Sequence, residues 1–469
     1  MNLESKRIVK VLWVMGALFI ILVVYLSYFE IFRASKIVTN NYNKRQWLNE
    51  EYVLRGQIVD RNGKTLAYSE KTENNKQVRK YNHGRLYSHV IGYSDKEYGK
   101  SGLESSYNNE LLNINAVNPI LEITEKITGP KEKGNNLILS LDHELQKYAQ
   151  QKLGNNKGAI IAMNPKSGEI YAMVSKPDFN ASTFKENWEE LVEDKESPLL
   201  NRATSGLYTP GSVFKIITAA AALQNKEIDT EYACEGSVNI EGYVLRDYQE
   251  TAHGEVDLLE AMAKSCNIAF SQMGLQLGEQ KLQDTAEKFM FNRIIPFDLK
   301  TKSSIFPSKG IMTKPELGAS AIGQGKVLVT PLNMALATSA IANDGVMMRP
   351  ILVKEILSSE GKTLKVNYPQ ALTRASSSLI AREIRDMMVE VVTDGTGTNA
   401  RIKNIKVAGK TGTAENDTGK THAWFTGFAP AEDPKVVVVV VLESHGTTGG
   451  KSAAPLAREM MIQTINRVK

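Results

Sequence analysis

Two cysteines, Cys234 and Cys266, are the chain's whole complement, and no Cys-x-x-Cys occurs. Two are too few for a disulfide framework. A bond between them is not expected, because it would tie down the segment around Cys266, which reads as a small packing residue. The six histidines are scattered, without His-Glu-x-x-His or another metal-ligand spacing, so each reads as structural or surface and no metal site is expected. There is no Gly-rich loop of the P-loop type and no internal repeat. The net charge of +5 is spread along the chain and forms no basic patch, which argues against nucleic acid as a partner.

What is present begins with an apolar run. Val11 to Phe29 carries no charge, and as a helix it would be about 28 Å long, close to the thickness of a bilayer core. Lys6, Arg7 and Lys10 precede it, which places the N-terminus in the cytoplasm and the rest of the chain outside. Ser27-Tyr-Phe-Glu30 offers no small-x-small cleavage site, so a retained anchor is expected rather than a signal peptide. Residues 30–55 are polar, with a helical tendency, and read as a stalk. Asn62-Gly63 between two β-prone runs signals a hairpin, and Tyr81 to Leu112 reads as irregular structure closing a small domain. Gly129-Pro-Lys-Glu-Lys-Gly-Asn-Asn136 is a breaker-rich linker. The expected division is a cytoplasmic tail over 1–10, an anchor over 11–29, a stalk and pedestal over 30–136, and a large domain over 137–469.

In the large domain a helix is expected over Asp142–Leu153, then a hairpin of Gly158–Met163 with Glu169–Val174. The middle, from about Ser212 to Val389, reads as mostly helical, including Asp257–Leu277 and Pro331–Asn343. Strands return over Ile405–Lys410, His422–Phe428 and Lys435–Glu443, the last with six consecutive valines that suggest burial on both faces. Ser452–Val468 closes as a helix. The economical architecture is α/β (α+β): one central sheet built from both ends of the domain, flanked by helices, with a helical insertion. A crevice between sheet and insertion is where a ligand is expected.

Three short motifs suit that crevice. Ser212-Val-Phe-Lys215 follows Pro210-Gly211 and leads into an Ala-rich run of strong helix propensity. Ser212 therefore sits near a helix start, where free N–H groups favour developing negative charge, and Lys215 lies on the same face. A serine hydroxyl needs a base beside it, and a lysine held near its neutral form can serve. Ser265-Cys-Asn267 lies in a helical region with Leu258, Leu259, Met262, Ile268 and Phe270, and Lys410-Thr-Gly-Thr413 lies on a returning strand, where a glycine is accepted if a ligand's backbone comes close. Singly, each has a bland reading as a helix cap or a strand-end turn. Together, in this order, they form a constellation.

The constellation resembles the penicillin-binding protein and serine β-lactamase superfamily, whose signatures are Ser-x-x-Lys, Ser-x-Asn and Lys-Thr-Gly. Arg55-Gly-Gln-Ile-Val-Asp-Arg-Asn-Gly63 is similar to the pedestal motif of class B penicillin-binding proteins. His253-Gly254, Gly323-Gln-Gly325, Thr330-Pro-Leu332, Gly395-Thr-Gly397 and Trp424-Phe-Thr-Gly-Phe-Ala-Pro430 resemble that family's transpeptidase domain. The resemblance implies a penicillin-binding transpeptidase fold with a mostly antiparallel central sheet, and a D,D-transpeptidase that cross-links peptidoglycan stem peptides, binds β-lactams covalently and needs no metal or organic cofactor. It implies Ser212 as nucleophile, Lys215 as base, Ser265 as proton relay and Asn267 as a holder of the substrate amide. Lys410, Thr411, Gly412 and Thr413 would bind the terminal carboxylate, with the N–H groups of Ser212 and Thr413 as oxyanion hole. Class B proteins commonly act beside a SEDS-type glycosyltransferase, and the same partner is expected here.

Three other readings are weighed. A β-lactamase of one class needs Glu-x-x-x-Asn after Ser-x-Asn, yet Glu235-Gly-Ser-Val-Asn239 precedes Ser265. A second class, and the β-lactam sensors related to it, have Ser-x-Val where this chain has Asn267. A D,D-carboxypeptidase differs only in whether water or an amine takes the acyl group.

Overall fold

The computed structural model describes residues 3–34, 53–73, 76–114, 133–308, 310, 312–417 and 419–468. Most of the expected stalk and the first residues of the expected linker lie outside them. Helix α1 (Leu3–Phe29) is long and apolar enough to cross a membrane, and its apolar side chains are exposed. It begins before the expected Val11 because the charged first turns contain good helix formers. It fits a single-pass membrane anchor.

The next elements are β1 (Ile58–Val59), β2 (Thr65–Lys71) and β3 (Gln77–Tyr81). The first two form the hairpin signalled by Asn62-Gly63, with Gly63 at φ 84°. Strand β4 (Asn136–Leu139) pairs in parallel with β1. Helix α2 (His143–Leu153) is capped by the Asp142 carboxylate, which accepts from the N–H groups of Glu144 and Leu145. Strands β5 (Gly158–Met163) and β6 (Ile170–Lys176) form the expected second hairpin.

The middle carries α3 (Lys215–Gln224), α4 (Leu258–Lys264), α5 (Asn267–Lys288) and α6 (Pro331–Ala342). It then runs through β7 (Val353–Leu357), β8 (Thr363–Val366) and α7 (Ser378–Thr393). It is less helical than the sequence suggests. Three two-stranded ribbons interrupt it: Tyr232–Cys234 with Gly254–Val256, Ser237–Ile240 with Tyr243–Arg246, and Val346–Met348 with Ala371–Arg374. Strands of three or four residues are too short to display a period-two pattern. The helix expected over Asp257–Leu277 is broken at Ser265, whose backbone is left-handed (φ 60°, ψ 39°).

The chain ends with β9 (Ala408–Ala414), β10 (His422–Ala429), β11 (Val436–Leu442) and α8 (Gly449–Arg467). Strand β9 begins three residues later than Ile405, because Asn404 at φ 62° and a local Ile402–Ile405 bridge form a turn there. Lys410 to Thr413 consequently lie inside the strand.

Two sheets organise these pieces. The five-stranded sheet has the order β9-β10-β11-β5-β6, antiparallel throughout, built from both ends of the domain as the sequence implies. Helix α6 packs on one face and α8 on the other. In β11, Val437, Val439 and Val441 enter the core on one side, and Val436, Val438, Val440 and Leu442 the core on the other. The valine run is therefore buried on both faces. The six-stranded sheet has the order β8-β7-β4-β1-β2-β3 and combines strands from the N-terminal region with β7 and β8 from far along the chain.

Candidate active site

Ser212 lies in a 3-10 turn, Gly211–Phe214, that feeds directly into α3, so Lys215 is the first residue of the α-helix proper. Gly211 has φ 56° and donates its N–H to Gly323 O at 2.8 Å. A Cβ on Gly323 would sit 2.2 Å from Gly211 O, which is why only glycine fits there. Trp424 Nε1 donates to Thr209 O at 3.1 Å and pins the segment entering the turn to β10. Ser212 opens into a cleft of about 710 Å³ whose walls include Ser265, Asn267, Thr411 and Thr413. Among the described residues the Ser212 hydroxyl has no hydrogen-bond partner.

Behind this wall lie two lysines with no exposed surface, Lys215 and Lys410. The left-handed break at Ser265 lets both reach it. Lys215 Nζ donates to Ser265 O at 2.5 Å, to Asn267 Oδ1 at 2.8 Å and to Ser265 Oγ at 3.3 Å. Lys410 Nζ donates to Ser265 Oγ at 2.8 Å. Burial lowers the Lys215 amine to about 8, against a smaller opposing pull from Asp247. Burial also depresses Lys410, and the neighbouring Lys215 adds to the effect. Two cations sharing one hydroxyl in a dry site cannot both stay charged cheaply, and a carboxylate arriving in the cleft would restore charge to the lysine nearer to it.

The remaining sequence-predicted residues divide. Thr411 Oγ1 is 2.6 Å from Thr396 Oγ1, and Thr413 Oγ1 accepts from Gly449 N at 3.3 Å; both threonines line the cleft. Asn267 Nδ2 donates to Arg246 O at 3.1 Å, which leaves its Oδ1 turned to Lys215. Gly412 is different. A Cβ there would meet Pro210 O at 2.9 Å and the Trp424 Cβ at 3.0 Å, so its small size accommodates the backbone that enters the Ser212 turn.

Sequence reading missed Asp247. Its Oδ2 accepts from Asn267 N at 3.0 Å and its Oδ1 from Tyr248 N at 2.8 Å, so a buried carboxylate holds both the Ser265–Asn267 turn and the loop above it. That loop is strained, with Gln249 and Glu250 both left-handed. Asp247 also belongs to the one group, among the described residues, that can hold a metal ion. Donor atoms of Cys234, Asp247, His253 and Cys266 lie within 4.8 Å of one another. Two thiolates, an imidazole and a carboxylate fit a tetrahedral Zn²⁺, and such an ion would brace the 247–253 loop against Cys266. The four residues are spread from 234 to 266 without ligand spacing. Both thiols are free and buried, and burial pushes the Cys266 thiol up, which suits a packing role and opposes the thiolate that either nucleophilic attack or metal ligation needs.

Residues 158–462 match the penicillin binding protein transpeptidase domain, and residues 55–137 match the penicillin binding protein A dimerisation domain. The peptidoglycan D,D-transpeptidase PbpA of Mycolicibacterium smegmatis is 34% identical, over 98% of each chain. The peptidoglycan D,D-transpeptidase MrdA of Acinetobacter baumannii is 31% identical, over 81% of this chain and 65% of that protein. A D,D-transpeptidase domain from Eggerthella lenta superposes with TM-score 0.81 at 35% identity, covering 89% of this chain and 100% of that one. Penicillin-binding protein A of Mycobacterium tuberculosis, as a ceftriaxone acyl-enzyme complex, superposes with TM-score 0.83 at 30% identity, again covering 89% and 100%.

Proposed function

This chain belongs to the penicillin-binding protein transpeptidase family, and we infer from its cleft how it performs that family's reaction. It is a serine-type D-Ala-D-Ala transpeptidase of class B, fitted with an N-terminal apolar helix suited to anchoring it in a membrane. The substrate is a peptidoglycan stem peptide, and β-lactams occupy the same site covalently.

In our reading Ser212 Oγ attacks the carbonyl of the penultimate D-Ala. The Oγ–C bond forms, the C–N bond to the terminal D-Ala breaks, and the serine proton passes to Lys215 and then by way of Ser265 to the leaving amine. Lys410, with Thr411 and Thr413, receives the terminal carboxylate, and Asn267 holds the stem's amide. The N–H groups of Ser212 and Thr413 receive the oxyanion. An amine of a second stem then forms the new C–N bond, the C–Oγ bond breaks, and a proton returns to Ser212. One observation carries this assignment. Ser265 Oγ is within hydrogen-bond reach of Lys410 and Lys215, drawn from motifs 145 and 50 residues away, directly behind the cleft that holds Ser212.

The test is labelling. Wild-type protein incubated with fluorescent penicillin is expected to form a stable adduct whose tryptic peptide contains Ser212, and Ser212→Ala is expected to form none. Rapid release of the label would favour a β-lactamase, and an undiminished adduct on Ser212→Ala would overturn the assignment.

We also read residues 1–10 as cytoplasmic, the rest beyond the anchor as extracellular, and residues 30–136 as stalk and pedestal to a catalytic unit over 137–469. The basic flank Lys6-Arg7 supports this orientation. With the anchor and the match over 55–137, it supports docking beside a SEDS-type glycosyltransferase. Such a protein is expected to co-purify from native membranes and to be lost when an unrelated anchor replaces residues 11–29. Co-purification that survives the exchange would remove the anchor from the interface.

A further inference from the structure

We propose that the cavity beside strand β3 is a binding site for a multiply charged phosphate ester, seated against the Arg79 guanidinium. No step of the acyl transfer uses this cavity, so it is a second site on the chain.

The cavity holds about 720 Å³, as much as the cleft of about 710 Å³ that Ser212 opens into. Sites for small molecules span about 300–1,000 Å³. It lies between the β2–β3 hairpin on one side and residues 94–96 and 181–185 on the other. Strand β3 is an edge of the six-stranded sheet, so side chains from both of its faces reach the cavity.

Charge marks the cavity out. Arg55, Arg79, Lys80, Lys96 and Lys185 line it, against one carboxylate, Asp95. Asp95 is already engaged: it pairs with Lys185 and accepts from Glu97 N at 2.8 Å and Tyr98 N at 3.0 Å. Outside the lining, Glu104 pairs with both Arg55 and Arg79. With Glu104 counted, five positive charges meet two negative ones, an excess of three. Lysines on an edge strand have an ordinary use, since they keep the edge from pairing with another chain. Arg79 has no such explanation. Its side chain is only 7% exposed. Nε donates to Glu104 Oε1 at 2.6 Å and Nη1 to Gly56 O at 2.7 Å, yet Nη2 is buried and without a partner. Among the described residues it is the one buried, unpartnered side-chain atom that belongs to a charged group. A desolvated donor on a full positive charge is unfavourable, and an oxyanion within reach removes the penalty and gains a charge-assisted hydrogen bond.

The excess also selects the anion. A carboxylate brings one negative charge, whereas a phosphate monoester brings about 1.5 to 2, so two phosphate groups on one ligand match an excess of three. The rings of Tyr68, Tyr81 and Phe184 line the same cavity and offer apolar surface to the organic part of the ester. Tyr81 is held in place, because its hydroxyl accepts from Ser94 N at 2.8 Å. Ser182 Oγ donates to Tyr81 O at 3.2 Å, so a bound ester lies across the contact between the hairpin and residues 181–185.

Such a phosphate arrives on a soluble molecule or on a lipid headgroup, and the experiment separates the two. Full-length protein in detergent is titrated by calorimetry with a glucose bisphosphate, with inorganic pyrophosphate, with glucose, and with mixed micelles containing phosphatidic acid. Wild type is expected to bind the phosphates and not glucose, and to bind them less tightly as salt is raised. Arg79→Lys is expected to weaken binding about tenfold, the loss of one charge-assisted hydrogen bond. Lys80→Gln removes an exposed charge that has no hydrogen bond or ion pair among the described residues, and is expected to weaken binding about threefold. Penicillin labelling of Ser212 and the Tm without ligand show which variants are folded, and Lys80→Gln decides alone if Arg79→Lys is not. Binding of the micelles and not of the soluble phosphates supports the proposal with a lipid as the source, and the reverse supports it with a soluble ester. Binding of no phosphate by wild type, or an affinity unchanged in the folded variants, overturns it, and neither result bears on the acyl-transfer reading.

Discussion

Lys215→Met is expected to slow penicillin acylation of Ser212 by about 10³-fold, within the range of about 10²–10⁴ that a positioned general base contributes. The substitution suits the site. Methionine approximates the length of lysine, and the amine it replaces is fully buried, 5.4 Å from the centre of the Phe270 ring. Loss of the hydrogen bond to Ser265 O costs stability, and removal of a desolvated amine offsets it, so the variant is expected to fold. The pH profile separates a base from a merely structural lysine. Burial places the Lys215 amine at about 8, and only its neutral form can take the serine proton. Acylation by wild type is therefore expected to rise about tenfold per pH unit below that value and to level off above it. Stopped-flow acylation between pH 6 and pH 10 measures this. The residual rate of Lys215→Met should lack the rise. A variant within tenfold of wild type, or one that keeps the same inflection, would move the base elsewhere.

The geometry behind that prediction was partly legible in the amino-acid sequence, and the boundary between the legible and the hidden has physical causes. Ser212 at the head of an Ala-rich helix and the valine strand β11 announce themselves through local propensity and burial pattern, so the sheet built from both ends of the domain could be read in advance. What could not be read depends on single dihedral angles or on long-range meetings. The left-handed backbone of Ser265 turns an apparent continuous helix into two, and only that break lets one hydroxyl face two lysines. Asp247 lies in a polar stretch without periodicity, and its burial follows from the ribbon that returns it to Asn267 N. The six-stranded sheet is hidden for a similar reason: β4 pairs with β7, and the contact between Leu139 and Val353 closes a loop of more than two hundred residues that leaves no local trace. Gly412 shows the opposite difficulty. Its presence in a strand was legible, but the backbone packed against it is the chain's own, at Pro210 just before the Ser212 turn.

Glu104→Leu is expected to be the most destabilising single change outside the cleft, costing about 3–5 kcal/mol, the usual result of stripping one partner from a buried charge cluster. Glu104 has no exposed surface; it lies between Arg55, whose Nε donates to Oε2, and Arg79, whose Nε donates to Oε1 at 2.6 Å. Arg55 also donates to Asn108 Oδ1 at 2.7 Å and Arg79 to Gly56 O at 2.7 Å, so both guanidinium groups are fixed by several partners and cannot follow water outward. Burial alone would raise the Glu104 carboxyl. Arg79 and Arg55 outweigh it and hold the group below the ordinary carboxylate value. A carboxyl depressed in the folded state stabilises it above the unfolded group's value of about 4.3, and that contribution is lost as pH falls through the depressed one. Wild type should therefore lose thermal stability below about pH 4.3, whereas Glu104→Leu should show a smaller acid-dependent fall in Tm. Adding Arg79→Met to Glu104→Leu should recover part of the loss, because it removes one uncompensated charge, and Tm measurements on the four proteins form the cycle that tests this. Equal Tm values for wild type and Glu104→Leu would show that the cluster is not desolvated. The damage should also travel. Strand β1 begins shortly after Arg55 and pairs with β4, and β4 pairs with β7, so loosening the cluster weakens a sheet whose far strands come from the same region as the helices around the cleft. Thermal inactivation of penicillin binding should then shift down with Tm in Glu104→Leu, although Glu104 makes no contact with Ser212.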